Sequence, residues 1–359
     1  MKSSRDITHL RLQRLGIAEP AAETPQDVVG RLVAMQAQDY LGSLWAIGLR
    51  MSNASEALVQ QAIAERRIVR TWPMRGTLHL VGAADVRWLQ RLLAPRVLAA
   101  NAARIKRDYG LDETVFKRCR KVVEKALRDG EPVTRNALYQ VLDEAKIATA
   151  NQRGIHITGQ LAHEGLICGG PREGRQPTFV LLDAWLPPTP VKSRDEALAE
   201  LAQRYIRSRG PATAQDFAWW TGLTVKDAQA AFASVHALLR QETIDGKVFW
   251  LAPEAELARK PRKSVHLLPP FDEYLVGYGD RSAAVDPAFN RQVIGINGLV
   301  GASIVIDGRI AGMWKRSLGV DRVDIALAPF RSLNKSEQVA VAASAKRYGR
   351  FLGKQAGID

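Results

Sequence analysis

Between residues 24 and 35 the apolar positions fall at Val28, Val29, Leu32 and Val33, a spacing that lays one stripe along a helix. Thr24 as N-cap, Pro25 at the first helical position and Asp27 in the first turn give that helix its start. Continuing the same period puts Gln36 inside the apolar stripe, where a primary amide needs hydrogen-bond partners or a cavity. Gln38 follows two positions later, about 200° around a helix but on the same side of an extended chain. Joint action by the two amides of Gln36-Ala37-Gln38 therefore predicts that the helix loosens near Gln36. Capping of a helix end by a polar pair is the competing reading of the same residues.

The rest of the pattern repeats one order of elements three times: helices, a turn, a helix, then a short hairpin carrying basic residues. The clearest copy starts with a capping box at Ser193-Arg194-Asp195-Glu196, followed by apolar Leu198, Leu201, Tyr205 and Ile206 and a stop at Gly210-Pro211. Thr213 with Asp216 then starts a short helix through Trp219 and Trp220. Gly222 breaks it, and Thr224 with Asp227 opens another through Phe232 and Val235. Residues 241–244 and 247–251 flank Asp245-Gly246, a two-residue hairpin signal, which completes a winged helix-turn-helix pattern. Upstream, 134–145 and 151–165 read as helices, and 168–182 as a wing with Arg172 and Arg175 near its tip. At the front, helices at 6–15, 24–35 and 55–65 precede a strand-turn-strand at 68–81, broken at Pro73 and Gly76. The intervening 83–128 reads as helical and rich in Lys and Arg.

Leu186-Pro187-Pro188-Thr189-Pro190 and Arg259-Lys260-Pro261-Arg262-Lys263 read as linkers. They divide the chain into 1–82, 83–186, 191–260 and 261–359. The last segment predicts a small β-rich element from 265–268 and the two strands flanking Asp307-Gly308, closed by a helix over 335–352, with Asn297-Gly298 as a second turn. The expected class is α+β, mostly helical.

Charge narrows the partners. Among 359 residues, 51 Lys and Arg against 37 Asp and Glu give a formal +14, which favours a polyanion, nucleic acid first and anionic membrane second. No run approaches the roughly 18 apolar residues of a membrane span, and the first residues lack a signal-peptide core, so a cytoplasmic, nucleoid-associated protein is expected. Cys119 and Cys168 have no partners at metal-ligand spacing and are expected to be reduced and structural. His156, His163 and Cys168 fit no common zinc pattern, so no metal or other cofactor is expected.

Four motifs together resemble the AlkZ/YcaQ-type winged-helix DNA glycosylases: Met35-Gln36-Ala37-Gln38-Asp39-Tyr40, Arg70-Thr71-Trp72-Pro73-Met74-Arg75-Gly76-Thr77-Leu78-His79, Leu268-Pro269-Pro270-Phe271-Asp272-Glu273-Tyr274 and Asp307-Gly308-Arg309. The resemblance implies three tandem winged-helix units forming a basic concave surface for duplex DNA, and removal of alkylated or crosslinked purines. It also implies a Gln-apolar-Gln catalytic motif, which maps onto Gln36 and Gln38. The chemistry agrees: an N7-alkylated purine is cationic and leaves readily, so a neutral amide suffices to orient a water and stabilise charge at the sugar. Gln38 is assigned to the attacking water and Gln36 to positioning it or the sugar, the reverse division remaining open. Asp39 directly follows the pair, which keeps an acid-using variant in view. No lysine adjoins it, so a monofunctional reaction leaving an abasic site is expected, by a monomer.

Arg70, Arg75 and His79 are candidate DNA contacts. Arg172, Arg175, Lys315 and Arg316 are candidates for phosphates, with solvated surface charge the equal alternative. Asn297 sits where a hairpin could probe the duplex. Asp272 and Glu273, a conceivable acid-base pair, are expected instead to fix a turn or to pair with Arg281. The rival reading is a non-catalytic winged-helix regulator. It is weakened because the 224–235 helix offers only Lys226 and Gln229 to read bases.

Overall fold

A computed structural model describes residues 3–255 and 264–358, so the charge run at 259–263 lies outside the described residues. Helix accounts for 49% and strand for 22%, which makes this a mixed α and β protein with helix dominant. The chain divides into two compact units that are not consecutive in sequence. Residues 1–59, 199–220 and 224–359 form one, and residues 60–198 with 221–223 form the other. These units do not coincide with the four consecutive segments read from the linkers. The reason is that buried ion pairs, such as Arg50 with Asp272, fasten early residues to ones more than two hundred positions later.

In the first unit, helix Pro25–Leu32 begins as expected, with the Thr24 and Asp27 side chains bonded reciprocally to each other's backbone N–H groups. It ends at Leu32, however, short of Gln36. A strand Ala34–Gln36 and a helix Tyr40–Gly48 follow. Helix Tyr40–Gly48 packs on the closing helix Lys335–Leu352, where Trp45 meets Tyr348 and Phe351 at ring distances of 5.0 and 5.2 Å. A Cβ on Gly48 would stand 2.5 Å from the Phe351 ring, so only glycine permits that approach. The C-terminal β element is a five-stranded sheet in the order Gln355–Ile358, Arg322–Pro329, Arg309–Leu318, Ser303–Ile306, Val265–Leu268. Trp45 and Trp314 donate their indole N–H groups to the carbonyls of Leu267 and Leu268, each at 2.8 Å, which fixes the end of the last of these strands. Helices Ala214–Thr221 and Val225–Ser234 and the hairpin Arg240–Ile244/Lys247–Leu251 share an aromatic core through Phe217, Phe232 and Trp250. Ile7 and Leu10 of the first helix pack on that hairpin.

In the second unit, the expected 83–128 helical stretch is two helices, Val86–Tyr109 and Glu113–Ala126, separated at Gly110 in the left-handed region that ends the first. They pack with helices Arg135–Glu144 and Arg153–His163 around Leu138, Leu161 and Phe179. The strands Ile68–Met74 and Thr77–Gly82 do not stand apart from the wing Ile167–Glu173/Gln176–Leu181. They join it in one sheet, Arg70 opposite Gly169. A Cβ at position 169 would stand 2.7 Å from the Arg70 carbonyl oxygen, so the absent side chain is what lets the strands meet. Cys119 and Cys168 are buried free thiols, and burial pushes them up to about 11 and about 12, which leaves them protonated and inert.

Candidate active site

The chain leaves helix Pro25–Leu32 through Val33, whose φ of 66° and ψ of −53° are rare for any residue with a Cβ and rarer for a β-branched one. Such a conformation costs on the order of 1–3 kcal/mol and persists only where its surroundings impose it. Here the surroundings are specific. The buried Arg209 guanidinium donates to the Leu32 carbonyl through Nη1 and to the Ala34 carbonyl through Nη2, both at 2.9 Å, gripping the backbone on either side of Val33.

Arg209 is in turn paired with Glu273, at 2.7 Å from Nη2 and 3.2 Å from Nε to the same Oε2. Trp220 Nε1 donates to that oxygen at 3.0 Å. The other oxygen, Oε1, accepts the backbone N–H of Gln36 at 2.9 Å. The guanidinium also lies 4.2 Å from the Trp220 ring centre. Every charged atom of this pair therefore faces a partner, as burial requires. Beside it, Asp272 accepts two bonds from Arg50, at 2.8 and 2.9 Å, and also caps Tyr274 N–H at 2.9 Å. Of the two expectations for these carboxylates, fixing a turn holds for Asp272, which caps the short helix Glu273–Val276, while pairing with Arg281 is corrected: Arg281 donates to the Leu275 carbonyl, and the two acids hold Arg50 and Arg209.

With its N–H fixed, Gln36 ends a strand and is only 9% exposed, and Ala37 is sealed in the core. Gln38 is exposed, and its Oε1 accepts a hydrogen bond from Gln36 Nε2. The loosened helix that joint action required is thus present, and the two amides touch. Asp39 is committed elsewhere: it caps the next helix by accepting Gly42 N–H at 2.8 Å and pairs with Arg316 at 3.1 and 3.3 Å. Arg316 also donates to the Tyr348 hydroxyl at 3.2 Å. Glu56 belongs to the same electrostatic neighbourhood, with burial raising its pKa against the opposing pull of Arg316 and Lys354. A cavity of about 570 Å³ opens beside Asp39 and Arg316, walled by Pro270, Trp314, Lys315 and Leu327.

The model of the DNA glycosylase AlkZ-like family matches residues 29–351, a span that includes the glutamine motif and the Arg50–Asp272 and Arg209–Glu273 pairs. The chain belongs to the AlkZ-like DNA glycosylase family. An interstrand DNA cross-link repair glycosylase of Streptomyces sahachiroi is 27% identical over 379 aligned positions that cover 98% of each chain. The solved structure of Streptomyces sahachiroi DNA glycosylase AlkZ is 25% identical and superposes with a TM-score of 0.81 over 100% of both chains. The protein is accordingly a DNA repair enzyme that hydrolyses N-glycosyl bonds.

The other candidate residues of this glycosylase are placed unequally. His79 has no exposed surface: its Nδ1–H donates to the Thr77 carbonyl at 2.9 Å and its Nε2 accepts from Arg75 Nη2 at 3.2 Å. Its bonded partners are thus Arg75 and the Thr77 carbonyl. Arg70 and Arg75 are half-buried. Arg175 is exposed at the wing turn, and its carbonyl accepts a bond from the half-buried Arg172. Lys315 is exposed on its strand, whereas Arg316 is engaged by Asp39. Asn297 stands at an exposed turn with a φ of 66°, between Ile296, 89% exposed, and Gly298. Among the described residues, no helix is long and apolar enough to cross a membrane, and no group of three or more potential metal ligands occurs.

From sequence alone Arg50 and Arg209 had no part, Trp220 had only a place on a helix, and Glu273 was set aside. A signal did exist. Arg50 closes the apolar run Leu44-Trp45-Ala46-Ile47-Gly48-Leu49, and Glu273 sits between Phe271 and Tyr274-Leu275, places where a charge needs a buried partner.

Proposed function

We propose that this DNA glycosylase is monofunctional and excises purines alkylated at N7 or N3, bulky or crosslinked ones included, from duplex DNA, leaving an abasic site. The single observation that carries the reading is the contact between the two amides: Gln36 held from behind, Gln38 exposed in front of it. Alkylation makes the base a cationic leaving group, so the glycosidic bond breaks ahead of nucleophilic attack and charge collects on the sugar. In this reading Gln38 orients the water that captures the sugar carbon. Gln36 donates to Gln38 Oε1, which fixes the rotamer of the exposed amide and concentrates negative charge on its oxygen. A buried Gln36 and an exposed Gln38 favour this division of labour over the reverse.

The repeated helix-turn-helix and hairpin order supports a reading as three winged-helix units. The exposed cations Arg175 and Lys315 and the half-buried Arg70, Arg75, Arg172 and Arg316 would supply phosphate contacts, and the Asn297 turn would meet the duplex. The test is incubation with duplexes carrying 7-methylguanine, 3-methyladenine, a bulky N7 adduct or an N7 crosslink. Free base is expected to appear together with strands that break only after alkali treatment. Strand scission without alkali would overturn the monofunctional assignment, and absence of release from every cationic lesion would overturn the substrate class.

A further inference from the structure

We infer that Arg209 and Glu273 are positioning residues of the glycosylase reaction, acting on the glutamine motif through its backbone, an inference that rests on the catalytic reading of Gln36 and Gln38. The two side chains converge on one stretch of backbone, from the last residue of helix Pro25–Leu32 to the end of strand Ala34–Gln36. Arg209 takes the carbonyls of Leu32 and Ala34, and Glu273 takes the N–H of Gln36. An ion pair serving general stability would need none of these bonds to be aimed at the motif. Between the gripped carbonyls lies Val33, held in a backbone conformation that a β-branched residue does not choose, with no glycine or asparagine to ease it.

Released from this grip, the stripe Val28, Val29, Leu32 and Val33 would favour one more helical turn through Val33. Helical geometry carried on from residue 33 through residue 38 would swing Gln36 and Gln38 about 200° apart and break their contact. The ion pair thus converts a helix end into the extended segment in which the two amides meet. Trp220, bonded to the same carboxylate oxygen, makes the state of the pair visible in indole spectra.

Glu273→Asp is the informative substitution, because it keeps the charge that Arg209 needs while shortening the reach towards Gln36 N–H by one methylene. Arg209→Lys is its counterpart: it keeps a cation for Glu273 but cannot span two carbonyls and a carboxylate. Both full-length variants should release 7-methylguanine in single-turnover assays at least 100-fold more slowly than wild type, with duplex affinity within about threefold. Gln38→Ala runs beside them as a control. If Gln38→Ala releases base at the wild-type rate, the catalytic reading itself fails. If Gln38→Ala is inactive while folded Glu273→Asp and Arg209→Lys work at wild-type rates, the positioning role is overturned and the catalytic reading stands. Should both variants fail to fold, amide hydrogen exchange on the wild-type protein decides: Gln36 N–H must exchange as slowly as core helix amides. Exchange at the rate of an exposed loop would overturn the inference.

Discussion

Val33 and Asn297 share a φ of 66°, yet the chain maintains that angle in opposite ways. Asn297 lies at an exposed turn closed by backbone bonds among near neighbours, from Gly295 N–H to the Leu299 carbonyl and from Gly301 N–H to the Val293 carbonyl. Its residue type tolerates the left-handed region unaided. Val33 is wholly buried, its type opposes the angle, and the bonds that hold it come from Arg209, more than 170 positions away in sequence. The lesson is that a local turn is written in the residue that makes it, whereas the strained segment beside the paired amides is written in residues far from it. The first is expected to change with little consequence; the second, on the proposed roles, would tie activity to the integrity of a buried charge pair.

Removing the charge pair should separate the two regions most. Glu273→Ala leaves a buried guanidinium without its carboxylate and should cost about 3–5 kcal/mol in urea unfolding. Asn297→Gly, with the same left-handed demand and no side chain, should change stability by only a few tenths. Equal losses would erase the distinction.

Acid should discriminate next. His266, on the buried strand beside Leu267 and close enough to Asp272 and Arg50 to feel their charges, has its pKa lowered by burial from 6.5 to about 4. The unfolded chain therefore takes up this proton first. Its contribution is fully present above about pH 6.5 and is lost as pH falls towards 4, at most about 3 kcal/mol. His266→Asn should flatten that part of the stability profile, while substitutions at Asn297 should leave its slope unchanged. A wild-type profile flat between pH 6.5 and 4 would remove His266 from the account.

Smaller still is the effect expected at exposed cations. Arg175→Ala should weaken duplex binding evenly across sequences and lower the salt slope by about one, without touching unfolding free energy beyond about 0.5 kcal/mol. A large stability loss there would show that the wing turn is also held from afar.

This contrast explains what could be read from the sequence. Thr24 with Asp27, Ser193 with Glu196 and Thr224 with Asp227 announce helix starts because each cap bonds three residues ahead. The closing helix was legible to both ends, and Asp245-Gly246 and Asp307-Gly308 marked turns, since each of these signals is local. The glutamine pair was legible because an amide stood out in an apolar stripe. Glu273 was legible only as a charge among apolar neighbours; its partner Arg209 lies 64 positions away, and the local sequence does not name it. The end of the helix at Leu32 was missed for the same reason: the periodicity continues through Val33, and tertiary bonds overrule it. The joining of two expected wings in one sheet depended on Gly169 facing Arg70, a pairing between strands almost a hundred residues apart.

The central claim, that two touching amides carry the hydrolysis, is tested most directly by single-turnover release of 7-methylguanine from a defined duplex by wild type and by Gln38→Ala. Intact folding and DNA affinity should be verified for both. The expected result is a rate at least 100-fold lower for the variant, equivalent to about 2.7 kcal/mol or more of transition-state stabilisation. Release at the wild-type rate by a folded, DNA-binding Gln38→Ala protein would contradict the account.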